Sequence, residues 1–261
     1  MDHEDALDAS VRVGLVSYGV VHLLMAWLAL QLVFGDREGN VSGTGALRQL
    51  AGNELGRISL YVVGAGFVAL VVWQLFEAAV GHRDEDGAKR AGQRIVSVGR
   101  AVIYGVLGWG ALRIAVGGGQ SSGGKSTDSL TARLMDLPFG VILVALVGAV
   151  IVGIAIGLAW NGWREKFLEM LDGSGHTGKD GQTYRWFGKA GYISKGVAFA
   201  VVGGLFLYAA WTHDPDKSGG LDQALLQLLE QPFGPALLAL VALGIGCFGL
   251  FCFAWARHLD R

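Results

Sequence analysis

Four stretches of this chain contain no Lys, Arg, Asp or Glu: residues 13–35, 58–76, 137–163 and 231–256, which are 23, 19, 27 and 26 residues long. About 20 apolar residues, rising 1.5 Å each, cross a bilayer core of roughly 30 Å. Each stretch is therefore long enough to span a membrane. Inside the hydrocarbon every backbone N–H and C=O has to be paired within the protein, which leaves helices or closed barrels. Barrel strands read as alternating segments of about ten residues; this sequence has none, so the spans are expected to be helices. Composition agrees, since 52% hydrophobic and 16% charged residues, with a mean hydropathy of +0.45 over 261 residues, lie outside the range of soluble domains.

Two further apolar stretches, about 95–117 and 188–211, are interrupted only by Arg100 and Arg113 in one and by Lys189 and Lys195 in the other. Long basic side chains can run their stems along apolar surface towards the interface, so both count as spans. Six result, at roughly 11–34, 57–80, 95–117, 138–160, 188–211 and 234–256.

These spans fall into three pairs with shared punctuation. The first span of each pair carries a large residue before glycine, Tyr18-Gly19, Tyr104-Gly105 and Lys195-Gly196, with another glycine four residues upstream in the first and third copies, Gly14 and Gly191. The second span opens on Glu54-Leu55-Gly56, Pro138-Phe139-Gly140 and Pro232-Phe233-Gly234, 37, 35 and 38 residues after the step. Proline is tolerated at a first helical position, where its missing N–H would be unpaired anyway, so Pro138 and Pro232 are expected to open their spans. Between the spans lies a short amphipathic segment. It is clearest at Leu221, Ala224, Leu225, Leu228 and Leu229, which make one helical stripe; Leu47 with Leu50 and Leu130 with Leu134 are weaker versions. Each repeat thus reads as span, interfacial helix, span. Two spans per copy return the chain to its starting side, so the copies are parallel and related by an axis along the membrane normal.

The fold expected is an all-α polytopic membrane protein: six transmembrane helices as three parallel two-helix repeats with pseudo-threefold symmetry and short interfacial amphipathic helices. The chain divides into an acidic tail (1–10), repeat 1 (11–80), a charged loop (81–94), repeat 2 (95–160), an amphipathic segment and loop (161–187), repeat 3 (188–256) and a short tail (257–261). In the 161–187 segment, Trp163, Phe167, Met170 and Leu171 read as an amphipathic extension of the fourth span. The N-terminus is acidic where a secretory signal is basic, so the first span is expected to stay as an anchor. Loops on the side of the termini hold twelve Lys and Arg, the opposite loops six. The positive-inside rule then predicts that both termini lie in the cytoplasm.

The Tyr/Lys-Gly step and the Pro-Phe-Gly opening, recurring over about residues 11–257, resemble the bacterial integral membrane family called domain of unknown function twelve-zero-six, whose members carry three tandem two-helix copies. The first copy departs from the pattern with Glu54-Leu55-Gly56, and the third has Lys195 in place of Tyr. The resemblance implies the fold and no activity.

Several classes are disfavoured. A net charge of −1 gives no basic field for nucleic acid. Cys247 and Cys252, five apart in an apolar run, match neither CxxC nor zinc spacing. Residues 119–126 satisfy GxxxxGK[ST], but they follow a membrane span in a Gly/Ser linker, where a phosphate loop must join a strand to a helix. Of the histidines only His22 is deep in a span; His82 and His213 lie too far from its depth to share a haem. No metal or cofactor is expected.

The candidate polar or paired-charge site is therefore His22, Glu77, Arg100 and Lys195. Charges cost about 3 kcal/mol each at the centre of a span and mark a pathway or a pair, and Glu77, too short to reach water easily, is expected to pair with Arg100 or Lys195 near the cytoplasmic boundary. Gly153 and Gly157, with Ala149, form a small-residue ridge read as a helix-packing face inside the protein, a dimer face being the alternative. Trp27, Trp73, Trp109 and Trp160 read as interfacial anchors. Two functions stand: a small-solute or ion pathway at the repeat axis, or a non-catalytic scaffold or accessory subunit. Partners are the lipid bilayer, with other membrane proteins or a second copy left open.

Overall fold

The computed structural model describes residues 3–35, 41–52, 54–81, 87–117, 131–171 and 173–259. Six long helices carry the spans: His3–Val33, Glu54–Val80, Gly87–Ala115, Gly140–Arg164, Gly178–Thr212 and Gly234–Arg257. All six are long and apolar enough to cross a membrane. On the side of the termini the helices overrun the apolar windows. The first starts at His3, inside the acidic tail, and the fifth at Gly178, inside what reads as a loop, because polar residues continue a helix at no cost once it leaves hydrocarbon. The fourth span ends differently. Glu165 turns left-handed at φ 57°, and a 3-10 turn over Lys166–Met170 follows in place of an amphipathic extension. That turn tucks Phe167 under the bundle against Tyr192 and Phe251, with ring centroids 5.4 and 5.1 Å away, while Trp163 stays exposed.

At the other end of the bundle lie the short helices Gly43–Leu50 and Leu221–Leu229 and a helical turn at 131–135. Their apolar stripes face inward. Leu47 and Leu225 are buried, as is Ala224, and Leu130 lies outside the described residues. The repeat junctions explain the Pro-Phe-Gly motif. Pro138 and Pro232 sit in the turn two residues before the first helical residue, a correction to their placement in the first helical position; in the sixth span Pro235 is the second helical residue. Phe139 and Phe233 adopt φ 63° and 61°, a left-handed conformation bulky residues seldom take. Their rings are 79% and 85% exposed, so no packing opposes it. The glycine that follows is sterically required: a Cβ on Gly140 would run into the Leu134 carbonyl, and one on Gly234 into that of Leu229. In repeats 2 and 3 the interfacial segment thus ends hard against the start of the next span.

The spans pack in the order third, second, first, sixth, fifth, fourth. Neighbouring repeats meet through equivalent helices, second with third, fourth with fifth, sixth with first. The glycine of each step makes these contacts: Gly19 faces Gly249 and Cys252, Gly196 faces Ala155 and Ala159, and Gly105 faces Val71 more loosely. Val71, Ala155 and Gly249 each stand 15 residues after Gly56, Gly140 and Gly234, so the threefold register is kept.

Within a repeat the symmetry breaks. In repeat 1, Gly14 and Ser17 nest on Gly66; in repeat 3, Gly191 packs on Phe248 and Ser194 on Gly244. The equivalent residues of repeat 2 are Arg100, Ile103 and Val150. With all three small residues replaced by large ones, the third and fourth spans share no substantial packing face among the described residues. The consequence shows at one position: Leu70 and Phe248 are 0% and 2% exposed, whereas their counterpart Ile154 is 48% exposed. Six helices thus form a ring open at repeat 2.

Candidate functional site where the three repeats meet

The step residues Tyr18, Tyr104 and Lys195 occupy equivalent positions in three parallel repeats, so a common axis brings them to one place. The Lys195 Nζ donates to the Tyr18 hydroxyl at 3.1 Å. The rings of Tyr18 and Tyr104 meet edge to face at 5.2 Å. Phe248 closes one side, with the Lys195 ammonium 3.7 Å from its ring centroid, and Phe67 backs Tyr104 at 6.2 Å. Tyr104 and Phe248 are buried, while Tyr18 and Lys195 keep part of their surface open. The sequence singles out the two tyrosines as markers of the repeat; the structure makes them walls of the site.

His22 lies one turn beyond Tyr18. Its Nδ1 donates to the Tyr18 carbonyl at 2.8 Å, since a carbonyl can only accept, and its ring sits 4.3 Å from that of Tyr18 and 4.8 Å from that of Phe248. Arg100 reaches the cluster from the third span, within electrostatic range of Lys195 and of the Tyr18, Tyr104 and Tyr192 hydroxyls. Three of the four candidate residues, His22, Arg100 and Lys195, therefore converge. Glu77 does not join them. Its carboxylate lies at the end of the second span beside Gly81, and neither Lys195 nor Arg100 is ion-paired with it. Shared depth along the helices misleads here, because it leaves the direction around each helix unspecified.

Energetics explain how Lys195 is held without an acid. Inserting a lysine into a span costs about 3 kcal/mol; a desolvated cation–π contact returns about 2 kcal/mol and a hydroxyl acceptor about 1 kcal/mol. The ring and the phenol therefore roughly offset the insertion. An ammonium has three donors, and Tyr18 takes one. Elsewhere the pairing is conventional: Glu165 meets Arg185 at 3.3 Å and Lys189 at 3.4 Å at the end of the fourth span. Among the described residues Gln74, buried on the second span, leaves its carboxamide oxygen without a partner.

The remaining candidates separate cleanly. Gly153 and Gly157 have open space where a Cβ would stand, so their ridge is not an internal packing face; Gly148, against Leu207 and Gly203, is the glycine that packs the fourth span on the fifth. Trp27, Trp109 and Trp160 are exposed, while Trp73 packs its edge on Trp255 at 6.3 Å. The GxxxxGK[ST] match and His82 both lie outside the described residues.

Six apolar helices in three tandem copies define a multi-pass membrane protein. The family described as Domain of Unknown Function (DUF1206) matches three times, over residues 13–81, 95–165 and 190–258, and the chain belongs to that family. It is 31% identical over 242 residues to the Bacillus subtilis (strain 168) protein named "Uncharacterized protein YxxB", an alignment that covers 92% of this chain and 86% of the relative. No solved structure matches it.

Proposed function

We propose that the protein binds an anionic group where its three repeats meet, as part of a small-solute or ion pathway at the repeat axis in the bacterial inner membrane. One observation carries this reading: the residues that converge from the three repeats bring a lysine and an arginine together with tyrosine hydroxyls, and no carboxylate stands within ion-pair distance of either cation among the described residues. Cations kept at such a depth without an acid are suited to a mobile anion, since a charge in the bilayer is costly unless it serves a pair or a path. The test is flux in proteoliposomes loaded with chloride, phosphate or acetate. Wild-type vesicles are expected to release at least one of them faster than protein-free vesicles, and Lys195→Met to lower that rate about tenfold, the equivalent of 1.4 kcal/mol. Equal rates with and without protein for all three anions would overturn the reading. The accessory-subunit alternative draws on the outward-facing Gly153 and Gly157 ridge, a surface on which another membrane helix could approach closely.

A further inference from the structure

The ring is open between the third and fourth spans, and the opening is apolar along its walls. Ile103, Val150 and Ile154 are 48%, 55% and 48% exposed there, at the positions where repeats 1 and 3 close on themselves. A gap between two apolar helices inside a bilayer is filled by acyl chains. What distinguishes this gap is its charge. Arg100 takes the place of the glycine that closes the other two repeats, is only half-buried, and lies within electrostatic range of Lys195. Two cations within electrostatic range of each other in a low dielectric repel, whereas the Glu165 cluster carries its own counter-charge. A phosphate diester supplies what is missing, because a guanidinium fork matches its oxygens bidentately.

We infer that the opening between the third and fourth spans holds an anionic phospholipid, its acyl chains against Ile103, Val150 and Ile154 and its phosphate on Arg100, with Lys195 behind. This rests on the anion-site reading above and commits it to an amphiphile that arrives sideways from the bilayer. The geometry of repeat 2 is then functional: the residues that break the symmetry both open the door and supply the charge that selects who enters.

The experiment is native mass spectrometry of the detergent-purified protein equilibrated with equal amounts of phosphatidylglycerol and phosphatidylcholine, with thermal stability measured in each lipid. The wild type is expected to retain phosphatidylglycerol at least about tenfold over phosphatidylcholine and to melt higher in its presence alone. Arg100→Gln should erase the preference and Arg100→Lys should keep part of it. Val150→Trp fills the gap without touching a charge, so it should lose the lipid while remaining folded, which covers the case in which Arg100→Gln does not fold. Equal retention of both lipids by the wild type, or an undiminished preference in Arg100→Gln, overturns the inference. The flux assay separates the two readings. Anion release lost in Lys195→Met without phosphatidylglycerol selectivity keeps the pathway and removes the lipid, and selectivity without release does the reverse.

Discussion

At the scale of single residues, the glycines divide into those that carry a helix contact and those that carry none, and the structure tells them apart where the sequence cannot. A Cβ on Gly191 would come within 2.6 Å of the Phe248 backbone, whereas nothing lies within 4 Å of one on Gly153. Alanine raises helix propensity by roughly 0.5–1 kcal/mol over glycine, but forcing a methyl into a packed contact costs about 1–3 kcal/mol. The second effect wins only at the packed site. Gly191→Ala is therefore expected to lower the melting temperature in detergent and Gly153→Ala to leave it unchanged or raise it slightly. Comparable losses for both would mean that the Gly153 ridge is buried in the purified protein, against a second copy. The spacing argument in sequence assigns Gly153 to an internal packing face and reads Gly191 only as punctuation of the repeat, because small-xxx-small records which residues share a face and not which way that face points.

At the scale of elements, repeat 2 is the informative one. Three substitutions relative to its siblings, Arg100 for glycine, Ile103 for serine and Val150 for glycine, coincide with the loss of packing between its two spans. Restoring the siblings' residues in the triple variant Arg100→Gly, Ile103→Ser, Val150→Gly should let the third and fourth spans close to the separation of packed helices, about 8–10 Å between axes. Spin labels at the exposed positions Ala91 and Trp163 report it: the interspin distance should shorten in the triple variant and not in Arg100→Gln. An unchanged distance would show that these side chains do not hold the spans apart. Much of this level is legible from sequence. Charge-free runs give the spans, and the recurring Gly56, Gly140 and Gly234 give the repeat register, from which the convergence of Tyr18, Tyr104 and Lys195 follows once an axis is drawn through the copies. What is not legible is that Glu77 stands apart from Arg100 and Lys195, since residues at one depth can point anywhere around their helices, nor the turn geometry of Phe139 and Phe233, whose left-handed backbone is set by the helix ends that meet there.

At the scale of the whole molecule, the open ring has one face with both termini and one face with the interfacial helices, and the site lies nearer the first. Tyr18 and Lys195 are seven residues inside the apolar limits at 11 and 188, or about 10 Å at 1.5 Å per residue. Which compartment that face meets decides from which side an anion would reach the cations. Twelve Lys and Arg on the terminal side against six opposite predict, by the positive-inside rule, that this face meets the cytoplasm, the side on which the attraction of anionic headgroups to basic surface is also strongest. The measurement is labelling of whole cells with an impermeant thiol reagent, in a background with Cys247→Ser and Cys252→Ser. Cysteine introduced by Glu85→Cys or His176→Cys should be protected until the cells are lysed, and Ser121→Cys should react in intact cells. Because six spans fix the two ends to one side, all three positions must agree. Labelling at 85 and 176 with protection at 121 would invert the protein, turning the site, and the lipid leaflet that feeds it, to the opposite side.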